Sequence, residues 1–421
     1  MENNFIIDQK SLSSILAFMQ PICAKRTTLD TTSSILFQAG HKELVLKSTD
    51  LEISLQYSCP LDNSALEGES FLLSGKRVFE LIKELCDTPG VPGVETRISE
   101  IVLREINNLC FTSYKDPMGN LIFQVNKTID NAPTILVDAH MDEVGFLVSH
   151  IEENGMLRVI PLGGIDPKLF YGQRLTIWGT KSVEATVAAI PPHISNKNDS
   201  SSIPVEDCLI DTGLQNTKLK KIIKIGDIVT FSTKCEINDD RILSKALDDR
   251  IGLYVLIETV KKLAKSKLNC NFFVSASVQE EMGLRGARII SSRVSPDFSI
   301  ALEGTVSNDL PGVASHKRLA QLGSGPEIRI SDKYLIADRD FNNFIQSIAS
   351  KERIKYQLTA KNAGGTNSTA LQVTGRGSKA TVLSVPVRYL HSPSSVCLVK
   401  DVNLTIKLLI ATILSIHKFK S

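Results

Sequence analysis

The chain has 421 residues, more than one ordinary hydrophobic core accommodates, and this length predicts two to three domains. Apolar residues make up 42% of the sequence and charged residues 22%, a composition typical of a soluble globular protein and not of a disordered or fibrous one. The formal net charge of +2 is too small to create the positive field that nucleic-acid binding requires. Nucleic acid is therefore not an expected partner.

Cysteine usage and hydropathy predict the compartment. The eight cysteines are scattered without a CxxC pair, so the sequence indicates neither a zinc ribbon nor a disulfide framework. No apolar run approaches 18 residues, and the opening MENNFIIDQK lacks the basic and apolar regions of a signal peptide. We therefore expect reduced cysteines, no membrane partner and a cytoplasmic location.

Residues 1–80 combine short strand and helix patterns and form the first predicted unit. An amphipathic helix is predicted from Ser74, as its N-cap, to Leu85. The segment DTPGVPG then ends this helix, because its two prolines and two glycines cannot continue it. This segment is the clearest predicted domain boundary.

Beyond residue 80 the pattern changes to alternating helices and buried strands. Helices are predicted over ETRISEIVLREINNL, over the long segment that begins at Asp248, and over residues 395–417. Runs rich in β-branched residues, such as PTILVDAH and KATVLSVPV, are typical of strands buried in a parallel sheet. The expected fold is α/β, a mostly parallel sheet covered by helices, formed by residues 81–156 and 244–421.

Helical periodicity disappears over residues 157–243. Short strand candidates such as RVIPLGG, QRLTIWG and DIVTFST are separated there by Gly, Pro, Asn and Ser. The pattern predicts a small β-barrel or sandwich inserted into the α/β domain.

Five separate stretches carry the residues that suit chemistry. In an α/β sheet the loops beyond the carboxyl ends of the strands converge on one crevice. Asp248 instead begins a helix, where the helix dipole favours a carboxylate. Two histidines and three carboxylates, with one spare glutamate, are the side chains that a two-metal hydrolase site needs. The stretches are DAHMDE with His140 and Asp142, ALDDR with Asp248, VQEE with Glu280 and Glu281, LEGT with Glu303, and RYLHSP with His391.

Each of these residues also has a plainer interpretation when it is taken alone. Asp248 is then a helix cap, the histidines are hydrogen-bonded structural residues, and Glu280 and Glu281 form a solvated turn. The coincidence of five such places on one predicted sheet edge favours the metal site.

The expected division of labour follows from metal chemistry. Two divalent cations roughly 3.5–4 Å apart need one bridging carboxylate and further ligands on each side. Histidine and carboxylate ligands without cysteine suit zinc, cobalt or manganese. A glutamate beside a ligand, as Glu280 is beside Glu281, can carry a proton from water to a leaving amine. Asp142 is placed to orient a ligand through a hydrogen bond.

At these residues the chain resembles the dinuclear aminopeptidase family that includes glutamyl aminopeptidases, tetrahedral archaeal aminopeptidases and proteins once labelled endoglucanases. The resemblance covers about 340 residues and passes in order through the motifs already named. Additional motifs that carry it are LIKELCDTPGVPG, DPMGNLI, PLGGIDPKLFYGQRL, LGSGPEIRISD and GGTNSTALQVTGRG.

The resemblance implies a zinc-peptidase-like fold, a metal-dependent aminopeptidase acting on short peptides, and a role for each residue. His140, Asp248 and Glu303 would bind the first metal ion, and the bridging Asp248 would bind the second with Glu281 and His391. Glu280 would be the general acid/base and Asp142 its neighbouring support. The inserted domain would help to build dimers that assemble further, often into a dodecamer. A departure is Asn367 in GGTNST, where the family usually has aspartate, which concerns local loop structure or substrate contacts rather than the metal ligands.

Residues 1–80 resemble instead the opening of the bacterial sliding clamp, the β subunit of DNA polymerase III, through LVLKSTDLEISLQYSC and SFLLSGKRVFELIKEL. This is less than one of the clamp's three α+β domains, so it is a truncated segment that cannot close a ring around DNA. A natural fusion, a relic and a chimeric gene model remain open. The alternatives to an aminopeptidase are a replication-associated binding module and a glycosidase, although two carboxylates alone would serve a glycosidase and leave the metal ligands unexplained.

Overall fold

The computed structural model describes residues 34–39, 43–49, 54–60, 70–74, 77–189, 203–238 and 240–419. The chain divides into two compact units. The first contains residues 1–83 and 237–239, and the second contains residues 84–236 and 240–421.

The described strands of the first unit form an antiparallel sheet in the order β3-β2-β1-β4. Alternation of side chains decides its buried face, since Ile35 and Phe37 of β1 and Leu44 and Leu46 of β2 are almost inaccessible to solvent. The strands are β1 (Ser34–Ala39), β2 (Glu43–Thr49), β3 (Ser54–Pro60) and β4 (Ser70–Ser74).

The helix predicted from Ser74 begins later, and the N-cap assignment is wrong. Ser74 is the last residue of β4, where it pairs with Ser34, and helix α1 spans Arg77–Asp87. The run SFLLS pairs with β1 as a strand, and this pairing keeps the backbone extended as far as Ser74.

The second unit is built around a mixed sheet whose middle is parallel. Strands β20, β17, β7 and β16 lie side by side and parallel, and antiparallel strands continue the sheet beyond them. The expectation of a mostly parallel sheet therefore holds only for this middle part. The strands of this unit are β5 (Thr112–Lys115), β6 (Leu121–Gln124), β7 (Thr134–His140), β15 (Arg241–Ser244), β16 (Asn271–Ser277), β17 (Phe298–Ser307), β18 (Glu327–Ser331), β19 (Gln357–Ala360), β20 (Lys379–Arg388) and β21 (Ser395–Leu398). Residues 237 and 238 of β14 (Glu236–Asn238) belong to the first unit.

Helices pack against these strands. The long helix α4 contacts β17, β7 and helix α8, while α5 and α7 contact each other and share an apolar cluster with Leu136 of β7. The helix bounds are α2 (Thr96–Ile106), α3 (Asn216–Leu219), α4 (Leu247–Leu263), α5 (Arg285–Val294), α6 (Arg339–Lys351), α7 (Asn367–Val373) and α8 (Val399–Ser415).

A closed six-stranded barrel forms from the segment between β7 and β14, in the order β10-β11-β12-β9-β8-β13. Its interior is a separate apolar cluster that contains Phe146, Phe170 and Phe231. The first barrel strand begins at Gly145, earlier than the predicted start of the inserted domain at residue 157. The prediction is late because the apolar run GFLVSHI looks, in sequence, like a strand of the main sheet. The strands are β8 (Gly145–Ile151), β9 (Leu157–Leu162), β10 (Arg174–Trp178), β11 (Ser182–Val187), β12 (Ile210–Asp211) and β13 (Ile228–Phe231).

The C-terminal helix was predicted from residue 395, and its start is wrong. Residues Ser395–Leu398 form β21, which pairs antiparallel with β15, and α8 begins at Val399. Backbone hydrogen bonds to a partner about 150 residues earlier decide this conformation, and the local pattern does not reveal them.

Two sequence expectations concern environment. None of the described helices is long and apolar enough to span a membrane. Among the described residues, Cys86, Cys110, Cys208, Cys270 and Cys397 are free thiols.

Candidate metal centre

Neighbouring strands of the parallel sheet bring the predicted residues together. His140 is the last residue of β7, and it pairs with Ser277, the last residue of β16. Glu280 and Glu281 follow Ser277 after two residues. Glu303 lies on β17, the strand on the other side of β7; it was expected at or shortly after the end of its strand, but β17 continues to Ser307. Three parts of the site therefore share one edge of the sheet.

Asp248 lies between the two histidines. Its Oδ1 is 3.3 Å from His140 Nε2 and its Oδ2 is 3.4 Å from His391 Nε2. Asp248 has non-helical φ and ψ angles within the first turn of α4. Ala246, two residues earlier, has a left-handed φ of 57°. A carboxylate with its two oxygens facing two different imidazole nitrogens has the arrangement of a bridging ligand.

Each histidine also faces a second carboxylate. His140 Nε2 is 3.6 Å from Glu303 Oε2, and His391 Nε2 is 3.1 Å from Glu281 Oε1. The other ring nitrogens contact backbone carbonyls, His140 Nδ1 that of Asp142 at 3.0 Å and His391 Nδ1 that of Gly164 at 2.8 Å. A ring whose Nδ1–H donates to a carbonyl presents Nε2 to the carboxylates, and Nε2 can bind a cation once it has lost its proton.

Asp142 supports the loop that carries the two glutamates. Its Oδ1 and Oδ2 accept the backbone N–H groups of Glu280 and Glu281, each at 3.0 Å. Oδ1 is also 3.5 Å from His140 Nδ1. Asp142 is fully buried, so it connects the end of β7 rigidly to the loop after β16.

The donor set fits divalent cations. Groups of ligand atoms within 4.8 Å of one another include Asp248, Glu281 and His391. Glu303 Oε1 is buried and has no hydrogen-bond partner among the described residues, which leaves a carboxyl oxygen available to a cation. The neighbouring Asp249 is also close to His140 and Glu303.

Asp249 nevertheless has another structural use. Its oxygens accept the backbone N–H groups of His140 at 3.2 Å and Gly252 at 3.0 Å. A side chain at position 252 would collide with this carboxylate, which therefore occupies the space that the glycine leaves. The Asp249 carboxylate is therefore engaged by backbone N–H groups, whereas the Asp248 carboxylate faces both histidines.

Burial and mutual repulsion shape the protonation of the cluster. Burial raises the pKa values of Glu280 and Glu303 well above the usual range for glutamate, and neighbouring carboxylates add to the effect. Burial lowers the pKa of His391, but its contacts with Asp248 and Glu281 outweigh this and raise it to about 11. Burial raises the pKa of Asp248, but the contacts with His140 and His391 lower it more. The pKa of Asp248 therefore lies below its usual range. The cluster thus attracts positive charge.

A cavity of about 590 Å³ opens onto these residues. Glu280, Glu281 and Glu303 line it, and so do the cations Arg329 and Lys361, which the sequence patterns did not single out. Arg329 and Lys361 belong to a nearly inaccessible ion-pair network with Glu327 and Asp332. The residues of this network lie on or near β18 and β19, and their spacing in the sequence does not predict the ion pairs.

Asn367 lies under the site, away from the metal-ligand cluster. Its Nδ2 donates to Asp138 Oδ2 and to Ser277 Oγ, each at 2.8 Å, and the residue is buried. The adjacent Thr366 lines the cavity. The departure at position 367 therefore affects a buried network between β7 and β16.

Comparison with known proteins identifies the second unit. The profile of the M42 glutamyl aminopeptidase family matches residues 119–408, the part of the chain that contains the whole cluster. The chain belongs to this family. A lysyl aminopeptidase of Pyrococcus furiosus is 31% identical, with 78% of this chain and 95% of the relative covered. A glutamyl aminopeptidase of Lactococcus lactis is 30% identical, with 77% and 92% covered.

Solved structures of M42-like aminopeptidases share the fold. An aminopeptidase of Desulfurococcus kamchatkensis has a TM-score of 0.77 and 32% identity, with 81% of this chain and 97% of that chain covered. The TET1 peptidase of Pyrococcus horikoshii has a TM-score of 0.71 and 32% identity, with 80% and 98% covered. The chain is accordingly a hydrolase of the aminopeptidase class within a family of metallopeptidases.

The first unit has a different relationship. Residues 3–99 match the N-terminal domain of the DNA polymerase III β subunit, which confirms the resemblance to the sliding clamp. The match continues past residue 80 into α2 and ends before the peptidase match begins.

Proposed function

We propose that this chain removes N-terminal residues from short peptides by a two-metal mechanism. The observation that carries the proposal is the position of Asp248, whose two oxygens face His140 on one side and His391 on the other. In this assignment His140, Asp248 and Glu303 would hold one ion, and Asp248, Glu281 and His391 would hold the other.

The ligands and the acid/base residue have separate tasks. Two divalent ions held in this way would lower the pKa of a shared water toward about 7 and polarise the peptide carbonyl. Zinc, cobalt and manganese all suit the histidine and carboxylate donors. Glu280, which lines the cavity beside Glu281, takes a proton from the attacking water and delivers it to the leaving amine. Asp142 holds the Glu280 backbone in place for this transfer.

Metal removal tests the mechanism. The full chain is depleted of metal with a chelator, assayed with an aminoacyl p-nitroanilide, and reloaded separately with zinc, cobalt or manganese. We expect activity to disappear on depletion and to return with about two ions per chain. Full hydrolysis by the metal-free chain would refute the two-metal mechanism.

Two neighbouring substitutions test the bridging ligand. Asp248→Asn removes charge between the two histidines, and we expect it to abolish binding of at least one ion and to lower kcat. Asp249→Asn is the matched control, because the Asp249 carboxylate accepts two backbone N–H groups. We expect this variant to keep two ions bound. Metal content measured by mass spectrometry decides between them. Loss of ions only in Asp249→Asn would show that Asp249 is the ligand.

The assembly is proposed to be a homo-oligomer. The TET1 peptidase of Pyrococcus horikoshii assembles into a tetrahedron or a large octahedral shell, and the fold is shared with this chain. A dodecamer is the size to test first, by light scattering of the full chain.

The clamp match supports a second candidate function, recruitment of the chain to DNA replication proteins. One feature counts against it. β3 lies at one end of the described sheet, and its Tyr57 is 47% exposed, as on an unprotected edge. Binding of the full chain to DNA polymerase III subunits, measured by surface plasmon resonance, tests this function independently of peptidase activity.

A further inference from the structure

The loop that carries Glu280 and Glu281 is held from outside by side chains of three separate segments. Its four consecutive backbone N–H groups, from Val278 to Glu281, each donate to a side-chain oxygen. The acceptors are Asn120 Oδ1 at 2.9 Å, Glu95 Oε1 at 3.2 Å, and Asp142 Oδ1 and Oδ2 at 3.0 Å. A run of backbone amides fixed in this way defines the direction of the side chains between them.

Glu95 is the member of this set whose position needs explanation. It is the N-cap residue of α2, but its carboxylate makes no capping hydrogen bond to that helix. Its Oε1 instead accepts the N–H groups of Gly93 at 2.8 Å and of Gln279 at 3.2 Å. Glu95 is only 5% exposed, so the carboxylate has been withdrawn from solvent for these contacts.

The loop needs this support at Gln279. Gln279 has a φ of 55°, a left-handed conformation that a residue with a side chain rarely adopts. The next residue is Glu280, so a change in the Gln279 backbone would turn the Glu280 carboxylate away from its place in the cavity. The hydrogen bond from Glu95 opposes that change.

We propose that Glu95 is a positioning residue for the reaction: its Oε1 fixes the Gln279 amide and thereby the orientation of the Glu280 carboxylate. The inference rests on the proposed role of Glu280. It predicts that Glu95 affects turnover more than substrate binding, because Glu95 does not line the cavity and acts through the loop backbone.

Three substitutions isolate this contact. Glu95→Ala removes the acceptor, Glu95→Asp keeps the charge but withdraws it by one methylene, and Glu95→Gln keeps a carbonyl oxygen at the same reach. Asp401→Ala is the control, since Asp401 is a buried carboxylate that also accepts two backbone N–H groups, those of Gly323 and Gly325. Kinetics, metal content and thermal unfolding are measured on the full, metal-loaded chain.

We expect kcat to fall about 10- to 100-fold in Glu95→Ala and Glu95→Asp, with KM and metal content nearly unchanged. Glu95→Gln should restore kcat to within about threefold of the unsubstituted chain. If Glu95→Ala does not fold, the comparison of Glu95→Asp with Glu95→Gln decides. A kcat equal to that of the unsubstituted chain in Glu95→Asp, or a loss no larger than in Asp401→Ala, would overturn the inference.

Hydrogen exchange makes the test independent of the peptidase assignment. The amides of residues 278–281 should exchange at least about tenfold faster in Glu95→Asp than in Glu95→Gln, whether or not the chain hydrolyses the chosen peptide. Equal exchange in the two variants would overturn the positioning role. An inactive unsubstituted chain with the expected exchange pattern would refute only the proposed function.

Discussion

Substituting Glu95 by glutamine should change how the stability of the second unit depends on pH. Burial raises the pKa of Glu95 from its ordinary value of 4.5 to about 7, and the nearby Asp142 adds to the rise, while the N–H groups of Gly93 and Gln279 reduce it. The folded chain therefore keeps a proton between pH 4.5 and about 7 that the unfolded chain has already released. Stability from this group is present at low pH and lost as the pH rises through that window.

The size of the loss follows from the same values. A tenfold change in proton affinity is worth about 1.4 kcal/mol, so the raised pKa costs about 3 kcal/mol at any pH above about 7. Glutamine does not ionise and avoids this cost. The unfolding free energy of Glu95→Gln minus that of the unsubstituted chain should therefore be about 3 kcal/mol larger at about pH 8 than at about pH 4.

Urea unfolding followed by tryptophan fluorescence measures this gain. Trp178 is the single tryptophan of the chain and lies on β10, so its signal reports on the second unit. Glu153→Gln is the control, because Glu153 is exposed, and its effect should be the same at both pH values. A gain below about 1 kcal/mol for Glu95→Gln would show that the Glu95 carboxylate is solvated and would refute the reasoning.

Two further substitutions test other parts of the site. Glu280→Gln should lower kcat by about 10²- to 10⁴-fold while two ions stay bound, and unchanged turnover with full metal content would remove Glu280 from its acid/base role. Glu143→Gln should destabilise the second unit by about 3–5 kcal/mol in urea, because Glu143 is the buried partner of Lys245 at 2.6 Å and Arg250 at 3.3 Å, and both cations would lose it. A cost below about 1 kcal/mol would mean that water reaches this cluster.

The elements that the sequence predicted well are those whose patterns are local and long. The helix α4 and the strands β7 and β20 each span seven residues or more and have an apolar pattern that matches their burial. β21 has four residues and depends on pairing with β15, far away in the sequence. Short elements of this kind are decided by tertiary hydrogen bonds, which periodicity does not show.

The candidate site was predictable for a different reason. His140, Glu281 and Glu303 follow from the rule that parallel strands collect their functional residues at one edge, and the structure brings them together. Glu95 was not predictable, because the amide that its carboxylate accepts belongs to Gln279, 184 residues later. The candidate ligands belong to recognisable sequence stretches, whereas the residues that support them are found only from contacts.

Asn367 departs from the family motif at a position outside the candidate metal ligands. Asp138 is fully buried two residues before His140, and burial raises its pKa to about 6 although Ser275, Ser277 and Asn367 donate hydrogen bonds to it. An aspartate at 367 would place a second carboxylate against Asp138, and one of the two would need a proton or a cation. The asparagine amide donates to Asp138 and Ser277 without that requirement. An asparagine at position 367 therefore avoids charge repulsion against Asp138, and this position lies outside the six candidate carboxylates and imidazoles.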